Sequence, residues 1–280
     1  MSSLETLDAT TVRVLTFVMG ALIGSFLNVC VARWPKELSV VSPRSRCPRC
    51  AHEIAWFENV PMLSWLALRA RCRGCHERIS AMYPLVELIV ALGWLGAVVA
   101  YGPGLTALRV AVFGTILFGV VLTDAMEYVI PDGFTAFGLF WAVLMAVVAI
   151  FVPETSPFAS LYDSLVGACA AAGAIAIVGW LGEMALKKEA MGFGDVTLMA
   201  MIGAHLGVAR SVLTIFLGAA LGAFGFLVIV FPIAWVRSKR AGTEFEPPLV
   251  PFGVFLAPAA MMALLFGDAL VNWYRGLTGL

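Results

Sequence analysis

Long apolar runs recur along the chain and decide what it can fold into. About 20 apolar residues in a helix cross the hydrocarbon core of a bilayer, and lipid leaves backbone polar groups no partner outside a helix or a closed barrel. We therefore predict an all-α membrane protein with about eight transmembrane helices, or seven if the short sixth run joins the seventh near Gly207, Arg210 and Ser211. The runs cover residues 12–33, 84–101, 105–123, 134–152, 162–184, 196–209, 211–235 and 254–272.

Composition agrees with a chain whose main solvent is lipid. Of the 280 residues, 61% are hydrophobic and 13% are charged, and the mean hydropathy is +0.94. Lys and Arg equal Asp and Glu at 18 each, so the charge balance gives no reason to expect a nucleic-acid partner. Glu5 and Asp8 replace the basic cluster that opens a secretory signal, so we expect the first run to remain as an anchor.

The basic residues set the expected orientation. With eight spans, most of the 18 Lys and Arg residues fall on one side, and positive loops stay in the cytoplasm. Both termini are then predicted outside the cytoplasm, and the large first loop inside it. The cytoplasmic set is Arg33, Lys36, Arg44, Arg46, Arg49, Arg69, Arg71, Arg73, Arg78, Lys187, Lys188, Arg237, Lys239 and Arg240, and the opposite side keeps Arg13, Arg109, Arg210 and Arg275.

Two Cys-x-x-Cys pairs lie in this first loop, Cys47 with Cys50 and Cys72 with Cys75. Each pair presents two soft donors from one tight turn, and four thiolates suit tetrahedral zinc. We expect Gly74 to permit the strained backbone of its turn. Disulfides are the alternative, which the reducing cytosol disfavours.

We predict a structural zinc ion, because four cysteines leave no open position for a water molecule. The loop is too poor in large apolar side chains to build its own core, so the metal would supply folding energy. His52 and His76 are expected to be solvated rather than ligating. Cys30 and Cys169 fall inside spans and are expected to be small buried hydrophobic residues.

An aromatic and aliphatic stretch separates the two cysteine pairs. It either lies on the membrane surface, with tryptophan at headgroup depth, or packs beneath the cysteine turns. The sequence favours neither alternative. The residues concerned are Trp56, Phe57, Pro61, Met62, Leu63, Trp65, Leu66 and Leu68.

Ionisable residues near the spans are costly and need a reason. Most have an ordinary structural one. Asp132 is predicted to cap its helix, Asp195 is open to the same interpretation, and Glu87 suits the positive end of the second helix. Asp163 and Asp268 are expected at the opposite membrane face as interfacial charges, and His205 as a satisfied polar residue within the bundle.

Asp124 has no such explanation. It ends an apolar helix, where the helix dipole disfavours an anion. Asp195 follows a glycine-rich turn that the predicted topology puts on the same cytoplasmic face. Two close carboxyl groups share a proton, so one can activate water while the other protonates a carbonyl oxygen. The residues alone leave this aspartic dyad open beside helix capping and polar packing.

Other function classes have weaker support. The chain has no His-Glu-x-x-His, no Gly-x-Ser-x-Gly and no lysine inside a span for a Ser/Lys dyad. A proton-coupled transporter would place acids deep within spans and show an internal repeat, which the sequence lacks. A non-catalytic assembly subunit with a zinc docking loop is the other alternative.

An ordered set of motifs resembles the bacterial type IV prepilin peptidases, the leader peptidase and N-methyltransferase family. The resemblance covers about residues 20–257. The matching stretches are Gly24-Ser-Phe-Leu-Asn28-Val, Ser45-Arg-Cys47-Pro-Arg-Cys50, Glu58-Asn59-Val-Pro61-Met-Leu-Ser-Trp65, Cys72-Arg-Gly-Cys75, Ile79-Ser80-Ala-Met-Tyr83-Pro84-Leu-Val-Glu87, Asp124 with Ile130-Pro131-Asp132, Gly192-Phe193-Gly194-Asp195 and Pro251-Phe252-Gly253.

This resemblance implies that Asp124 and Asp195 are the catalytic pair of an intramembrane aspartyl protease, and that Glu127 and Asp132 are not. It implies a zinc-binding loop formed by the four cysteines. It divides the chain into a first transmembrane helix (1–33), a cytoplasmic zinc loop (34–82) and a transmembrane peptidase domain (83–280).

The resemblance further implies a bifunctional enzyme of the bacterial inner membrane, serving type IV pili and type II secretion. Such members cut prepilins and pseudopilins after a leader glycine, then methylate the new N-terminus with S-adenosylmethionine. No glycine-rich nucleotide motif locates the methyl donor, and Glu87 is the one polar contributor we suggest. The acidic turn at Asp124, Glu127 and Asp132 is suited to attract a basic leader.

Overall fold

A computed structural model describes residues 8–152, 156–187, 191–241 and 250–278. Over these residues the chain is almost wholly helical, with two isolated β-bridges in the first loop, so the all-α membrane fold is confirmed. Lys188, which we assign to the cytoplasmic charges, lies outside the described residues. The helices are α1 (Ala9–Arg33), α2 (Leu63–Ala67), α3 (Met82–Tyr101), α4 (Leu105–Glu127), α5 (Asp132–Phe151), α6 (Leu161–Leu186), α7 (Phe193–Gly225), α8 (Phe231–Ala241) and α9 (Gly253–Thr278).

Seven of the described helical segments are long and apolar enough to cross a membrane. The predicted sixth and seventh spans run together in one segment, Phe193–Arg240, which has 48 residues. A helix of that length measures about 70 Å, more than twice the hydrocarbon thickness. One straight crossing therefore cannot account for it.

Gly207 breaks this segment. Its φ of 74° and ψ of −179° are not helical, and this region of backbone space is essentially restricted to glycine. Before the break, α7 runs antiparallel to α6, since Gly203 contacts Gly167 and Gly207 approaches Asp163. After the break, it runs antiparallel to α9, since Arg210 packs on Gly267 and Gly218 on Leu256.

Ile130 lies against both Gly194 in the first turn of α7 and Gly253 at the start of α9. Gly225 at the end of α7 lies against Phe255 of α9. The two ends of α7 are thus at the same end of the bundle. The chain therefore reverses direction at Gly207, and the 48-residue segment is a helical hairpin. Its first limb covers residues 193–206, and its second limb returns from 208 onward. The described residues contain seven continuous helical spans. Because one of these spans turns back at Gly207, the chain passes through the bundle eight times. A single glycine takes the place of the loop that would normally separate the sixth and seventh helices.

The chain divides into two compact units, Met1–Gly119 and Val120–Leu280. In the first unit, α1 and α3 pair antiparallel. A Cβ on Gly24 would lie 2.7 Å from the Cα of Glu87, and one on Gly20 would lie 2.8 Å from the Cα of Ala91. These glycines allow the two backbones to touch, and Asn28 adds a hydrogen bond to the Tyr83 carbonyl at 3.1 Å.

In the second unit, one end is closed by polar contacts remote from Asp124 along the helices. Asp163 and Ser160 cap α6 with a hydroxyl-to-carboxylate hydrogen bond of 2.7 Å, and Asp268 pairs with Arg210 at 2.6 Å. His205 is fully buried, and its Nδ1 lies 2.9 Å from the Met201 carbonyl oxygen. These contacts put Asp163 and Asp268 at the end of the unit away from Asp124, as expected of charges at the opposite membrane face, and they agree with the expected role of His205 as a satisfied core residue.

Two sequence expectations are wrong at the level of single residues. Asp132 does not cap α5, because the helix begins at Asp132 itself, Pro131 holds the cap position, and no side-chain cap bond forms. Cys169 is exposed on α6, because it faces away from the helices packed against α6. Cys30 is buried as expected.

Candidate metal centre and active site

The two cysteine turns in the first unit are folded alike. The backbone N–H of Cys47 donates to the His52 carbonyl at 2.9 Å, and that of Cys72 donates to the Glu77 carbonyl at 2.8 Å. Each turn closes a very short antiparallel hairpin. The hairpins hold both sulfurs of a pair on the same side of their turn.

The four sulfurs form a compact cluster. Cys47 Sγ lies 3.8 Å from Cys75 Sγ, Cys50 Sγ lies 3.9 Å from Cys72 Sγ, and all four fall within 4.8 Å of one another. A tetrahedral zinc with bonds of about 2.3 Å requires sulfurs about 3.8 Å apart. All four cysteines are free thiols. The cluster can therefore hold a metal ion, and its donor set and spacing fit zinc.

Gly74 has a different role from the one predicted. The left-handed backbone of the turns occurs at Ala51 (φ 57°) and His76 (φ 57°), and Gly74 is not among the positive-φ residues. A Cβ on Gly74 would lie 3.2 Å from Cys50 Sγ. Gly74 is needed for the close approach of the two turns.

Backbone donors surround the sulfurs. The N–H groups of Cys50 and Arg49 lower the pKa of the Cys47 thiol to about 6, which favours the thiolate. The N–H of Glu77 also acts on Cys75, but desolvation and the neighbouring thiols raise the pKa of Cys75 to about 12. Four thiols so close together cannot all ionise without a cation among them.

Glu58 fastens the loop around the cluster. Its side chain is buried, accepts the Ala55 N–H at 2.9 Å and lies 3.2 Å from His52 Nε2. The Ala55 N–H, followed by His52 and Arg73, lowers the pKa of Glu58. His52 is thus held by Glu58 rather than solvated, and neither His52 nor the exposed His76 belongs to the cluster.

The aromatic stretch between the two cysteine pairs partly packs against the loop and partly faces outward, so each predicted alternative holds for some of its residues. Trp65 turns inward and donates its indole N–H to the Ile79 carbonyl at 3.2 Å, and Pro61 is buried. Trp56 is 82% exposed, and Leu63 and Leu66 on α2 are also mostly exposed. One part therefore packs against the loop, and the other part faces outward.

Glu87 joins the loop to the membrane helices of the first unit. It is buried on α3 and accepts the Met62 N–H at 2.7 Å. Met62 has a φ of 58°, and this turn brings the start of α2 against the helix pair. Glu87 is therefore a structural attachment point rather than a free charge at a helix end.

Asp124 lies one turn before the end of α4, in the second unit. Its side chain is buried, and its Oδ2 accepts the Val254 N–H at 3.0 Å. The N–H of Gly253 also faces this carboxyl group. The start of α9 thus directs two backbone donors at Asp124.

Asp195 is the third residue of α7, which begins after Gly192. It is also buried, and the Gly192 N–H faces its carboxyl group. The charge of Asp124 acts on the Asp195 carboxyl, so the two acids are electrostatic neighbours. Asp195 therefore lies inside the first turn and is not the N-cap residue.

Ile130 connects the three segments that form this end of the second unit. Its side chain would lie 3.1 Å from a Cβ on Gly194 and 2.9 Å from a Cβ on Gly253. The turn after α4 therefore packs between the start of α7 and the start of α9. Glu127 and Asp132 belong to the same turn but are exposed. Of the acidic residues considered, the fold brings Asp124 and Asp195 together.

Sequence reasoning singles out Asp124 and Asp195 but not the backbone donors from α9. Pro251-Phe252-Gly253 stands out along the chain as a motif without a role. The sequence does indicate a helix start here, since a proline and a glycine before an apolar run predict a helix N-terminus with unpaired N–H groups. What the sequence does not show is that this start faces Asp124.

Two buried carboxyl groups at one end of a helix bundle can carry out acid–base catalysis. A pair that shares a proton offers a base and an acid at once, as water attack on a peptide carbonyl requires. The site holds no nucleophilic serine or cysteine among the contacts of Asp124 and Asp195 in the described part of the chain.

Comparison with known families gives two matches that together cover most of the chain. The bacterial peptidase A24 N-terminal domain matches residues 18–101, and the type IV leader peptidase family matches residues 111–229. The first match contains the cysteine cluster, and the second contains both aspartates.

Individual relatives match over most of their length. A protein of Aeromonas hydrophila is 34% identical over 93% of this chain and 92% of its own. One from Pseudomonas aeruginosa is 35% identical over 94% and 93%, and one from Myxococcus xanthus is 37% identical over 84% and 68%. Each is named prepilin leader peptidase/N-methyltransferase. No solved structure matches.

Proposed function

This chain belongs to the type IV leader peptidase family, and from that premise we propose that Asp124 and Asp195 cut the leader from type IV prepilins and pseudopilins. Cleavage follows the leader glycine and frees the N-terminus of the mature subunit. The observation that carries the proposal is the joint burial of the two carboxyl groups at one end of the second unit, where the charge of one acts on the other.

The reaction is an aspartic hydrolysis. One carboxylate takes a proton from water as the water oxygen bonds to the peptide carbonyl carbon, and the other carboxyl group gives its proton to the carbonyl oxygen. The resulting gem-diol collapses when the first group returns its proton to the leaving nitrogen. The second group then recovers a proton from a diol hydroxyl, the C–N bond breaks, and both groups return to their starting state.

The orientation of the enzyme suits this substrate. The basic loops support an orientation in which the zinc loop and the aspartates face the cytoplasm, and we assign the chain to the bacterial inner membrane. A prepilin keeps its basic leader in the cytosol while its apolar helix enters the membrane, so its cleavage site lies at that interface. The exposed Glu127, three residues after Asp124, offers a negative charge to such a leader.

The second activity is N-methylation of the new N-terminus. S-adenosylmethionine supplies the methyl group, which moves from a sulfonium sulfur to the freed amine while that amine loses a proton. Zinc has a structural role, since Cys47, Cys50, Cys72 and Cys75 would fill its coordination shell and give the loop a fixed fold. The substrates belong to the assembly of type IV pili and of type II secretion systems.

Purified enzyme incubated with a full-length prepilin tests both activities. Mass spectrometry reports loss of the leader and gain of a methyl group separately. Asp124→Asn and Asp195→Asn should each abolish leader loss, whereas Asp132→Asn, a matched change at an exposed acid two residues after Ile130, should retain it. Substantial cleavage by either of the first two variants contradicts the proposed dyad.

A further inference from the structure

The hydrogen bonds around the two aspartates are unequal. Asp124 Oδ2 accepts the Val254 N–H at 3.0 Å, and the Gly253 N–H faces the same carboxyl group. Asp195 is faced by the single N–H of Gly192. Hydrogen bonds from backbone N–H groups favour a carboxylate over a carboxylic acid, so the donor count favours charge on Asp124.

Helix ends act on both carboxyl groups, since Asp195 itself lies in the first turn of α7, so the difference comes from the donors of α9. Gly253 and Val254 are the first two residues of α9, and N–H groups in the first turn of a helix have no acceptor within it. The N-terminus of α9 therefore presents both its free donors and its partial positive charge to Asp124. These donors offset the end of α4, whose partial negative charge would otherwise disfavour an anion there.

Few other charges compete at this position. Among the described residues, Asp195 is the titratable side chain whose charge is coupled to that of Asp124. The first turn of α9 contains no acidic residue, and its sequence there contains no basic residue either. Glu127 on α4 is exposed to solvent. Two buried acids this close do not both ionise, and the one with more donors retains the charge.

We propose that Asp124 is the ionised member of the pair and acts as the general base, and that Gly253 and Val254 are the positioning residues that hold it as a carboxylate. Asp195 then enters the reaction as the acid. This assignment rests on the proposed function. The first proton then moves from the attacking water to Asp124. The second moves from Asp195 to the carbonyl oxygen of the scissile bond.

The hydrogen bond between Val254 and Asp124 requires glycine at position 253 for steric reasons. A Cβ at this position would lie 2.8 Å from Asp124 Oδ2 and 2.9 Å from Ile130 Cδ1, closer than side-chain atoms pack. Any larger residue pushes the carboxyl group away from the Val254 N–H. The glycine of the Pro251-Phe252-Gly253 turn is therefore a condition of the hydrogen bond.

Val254→Pro removes the donor with little other change. Proline is tolerated in the first turn of a helix, where its missing N–H has no partner within the helix. Val254→Ala is the matched control, since it trims the same side chain and keeps the N–H. The measurement is the pH profile of kcat/KM for leader cleavage.

The acid limb of that profile records protonation of the base. Without the Val254 N–H the carboxylate is less stable and takes up a proton at higher pH. We expect the acid limb of Val254→Pro to move up by about one pH unit relative to Val254→Ala, with activity about tenfold lower on that limb. At the plateau the two variants should differ much less.

A second variant covers the case in which the proline interferes with folding. Gly253→Ala should shift the acid limb in the same direction. Gly173→Ala controls for the added methyl group, since Gly173 is a helical glycine whose Cβ would meet no atom within 4 Å. An acid limb unmoved in both Val254→Pro and Gly253→Ala, or a loss of activity that is equal at every pH, overturns the proposal. Cleavage by Asp124→Asn or Asp195→Asn would instead overturn the dyad itself.

Discussion

Gly167 and Gly203 bring the backbones of α6 and α7 into direct contact. A Cβ on Gly203 would lie 2.7 Å from the carbonyl carbon of Gly167 and 2.8 Å from the Cβ of Ala171. Gly167 is equally restricted by the Gly203 backbone. Small residues allow such close approach between membrane helices, where packing rather than hydrophobic burial holds the helices together.

Gly167→Ala should therefore destabilise the second unit. The added methyl group meets backbone atoms, which move less readily than side chains, and we expect a loss of about 3 kcal/mol. The midpoint of thermal unfolding in detergent measures it. Gly173→Ala on the same helix has open space and should be neutral or slightly stabilising. Equal midpoints for the two variants would show that α6 and α7 are not in contact at Gly167.

Gly207→Ala tests the reversal between the two limbs of α7. The nearest atom to an added Cβ is 3.7 Å away, so any effect comes from the backbone conformation alone. A non-glycine residue at this φ and ψ costs about 1–3 kcal/mol. A lower unfolding midpoint in detergent is expected. Unchanged stability would place residue 207 within a regular helix.

Cys72→Ser should lower the zinc content of the purified protein and loosen the first loop. Three thiolates and a hydroxyl bind zinc far more weakly than four thiolates, and the loop depends on the metal for folding. Metal analysis per chain and limited proteolysis at the loop arginines measure the two effects. Cys169→Ser, at an exposed cysteine outside the cluster, should change neither. Wild-type protein purified without stoichiometric zinc would exclude a zinc site.

Glu87→Ala should detach the start of α2 from α3. It leaves the Met62 N–H without its carboxylate acceptor, a loss of about 1–3 kcal/mol. Faster cleavage of the loop by trypsin is the expected result, and Glu87→Gln should restore part of the protection because its amide oxygen still accepts. Glu53→Ala, which removes an exposed ion pair with Arg46, should have little effect. Equal protection in Glu87→Ala and wild type would contradict the attachment.

The sequence predicted the features that depend on residue type. Apolar runs located the spans, and spacing paired Cys47 with Cys50 and Cys72 with Cys75. The resemblance singled out Asp124 and Asp195 among the acids. These features follow from composition and local order, which are visible along the chain.

What escaped prediction depends on backbone direction and on contacts between distant segments. No pattern distinguishes a glycine that reverses the chain, such as Gly207, from one that lies inside a helix, such as Gly173. Asp132 was predicted to be the N-cap because we expected α5 to begin one residue later than it does. The meeting of Asp124 with Val254 joins segments 130 positions apart, and no local signal records it.

The reversal at Gly207 leaves the first limb of α7 with 14 residues, 193–206, about 21 Å of helix. The hydrocarbon layer is about 30 Å thick, so this limb carries a built-in hydrophobic mismatch of several ångströms. Lipid beside it must thin, or headgroups and water must follow the helix end inward. Asp195 is in the first turn of this limb, so we expect water that follows the short helix inward to reach its carboxyl group.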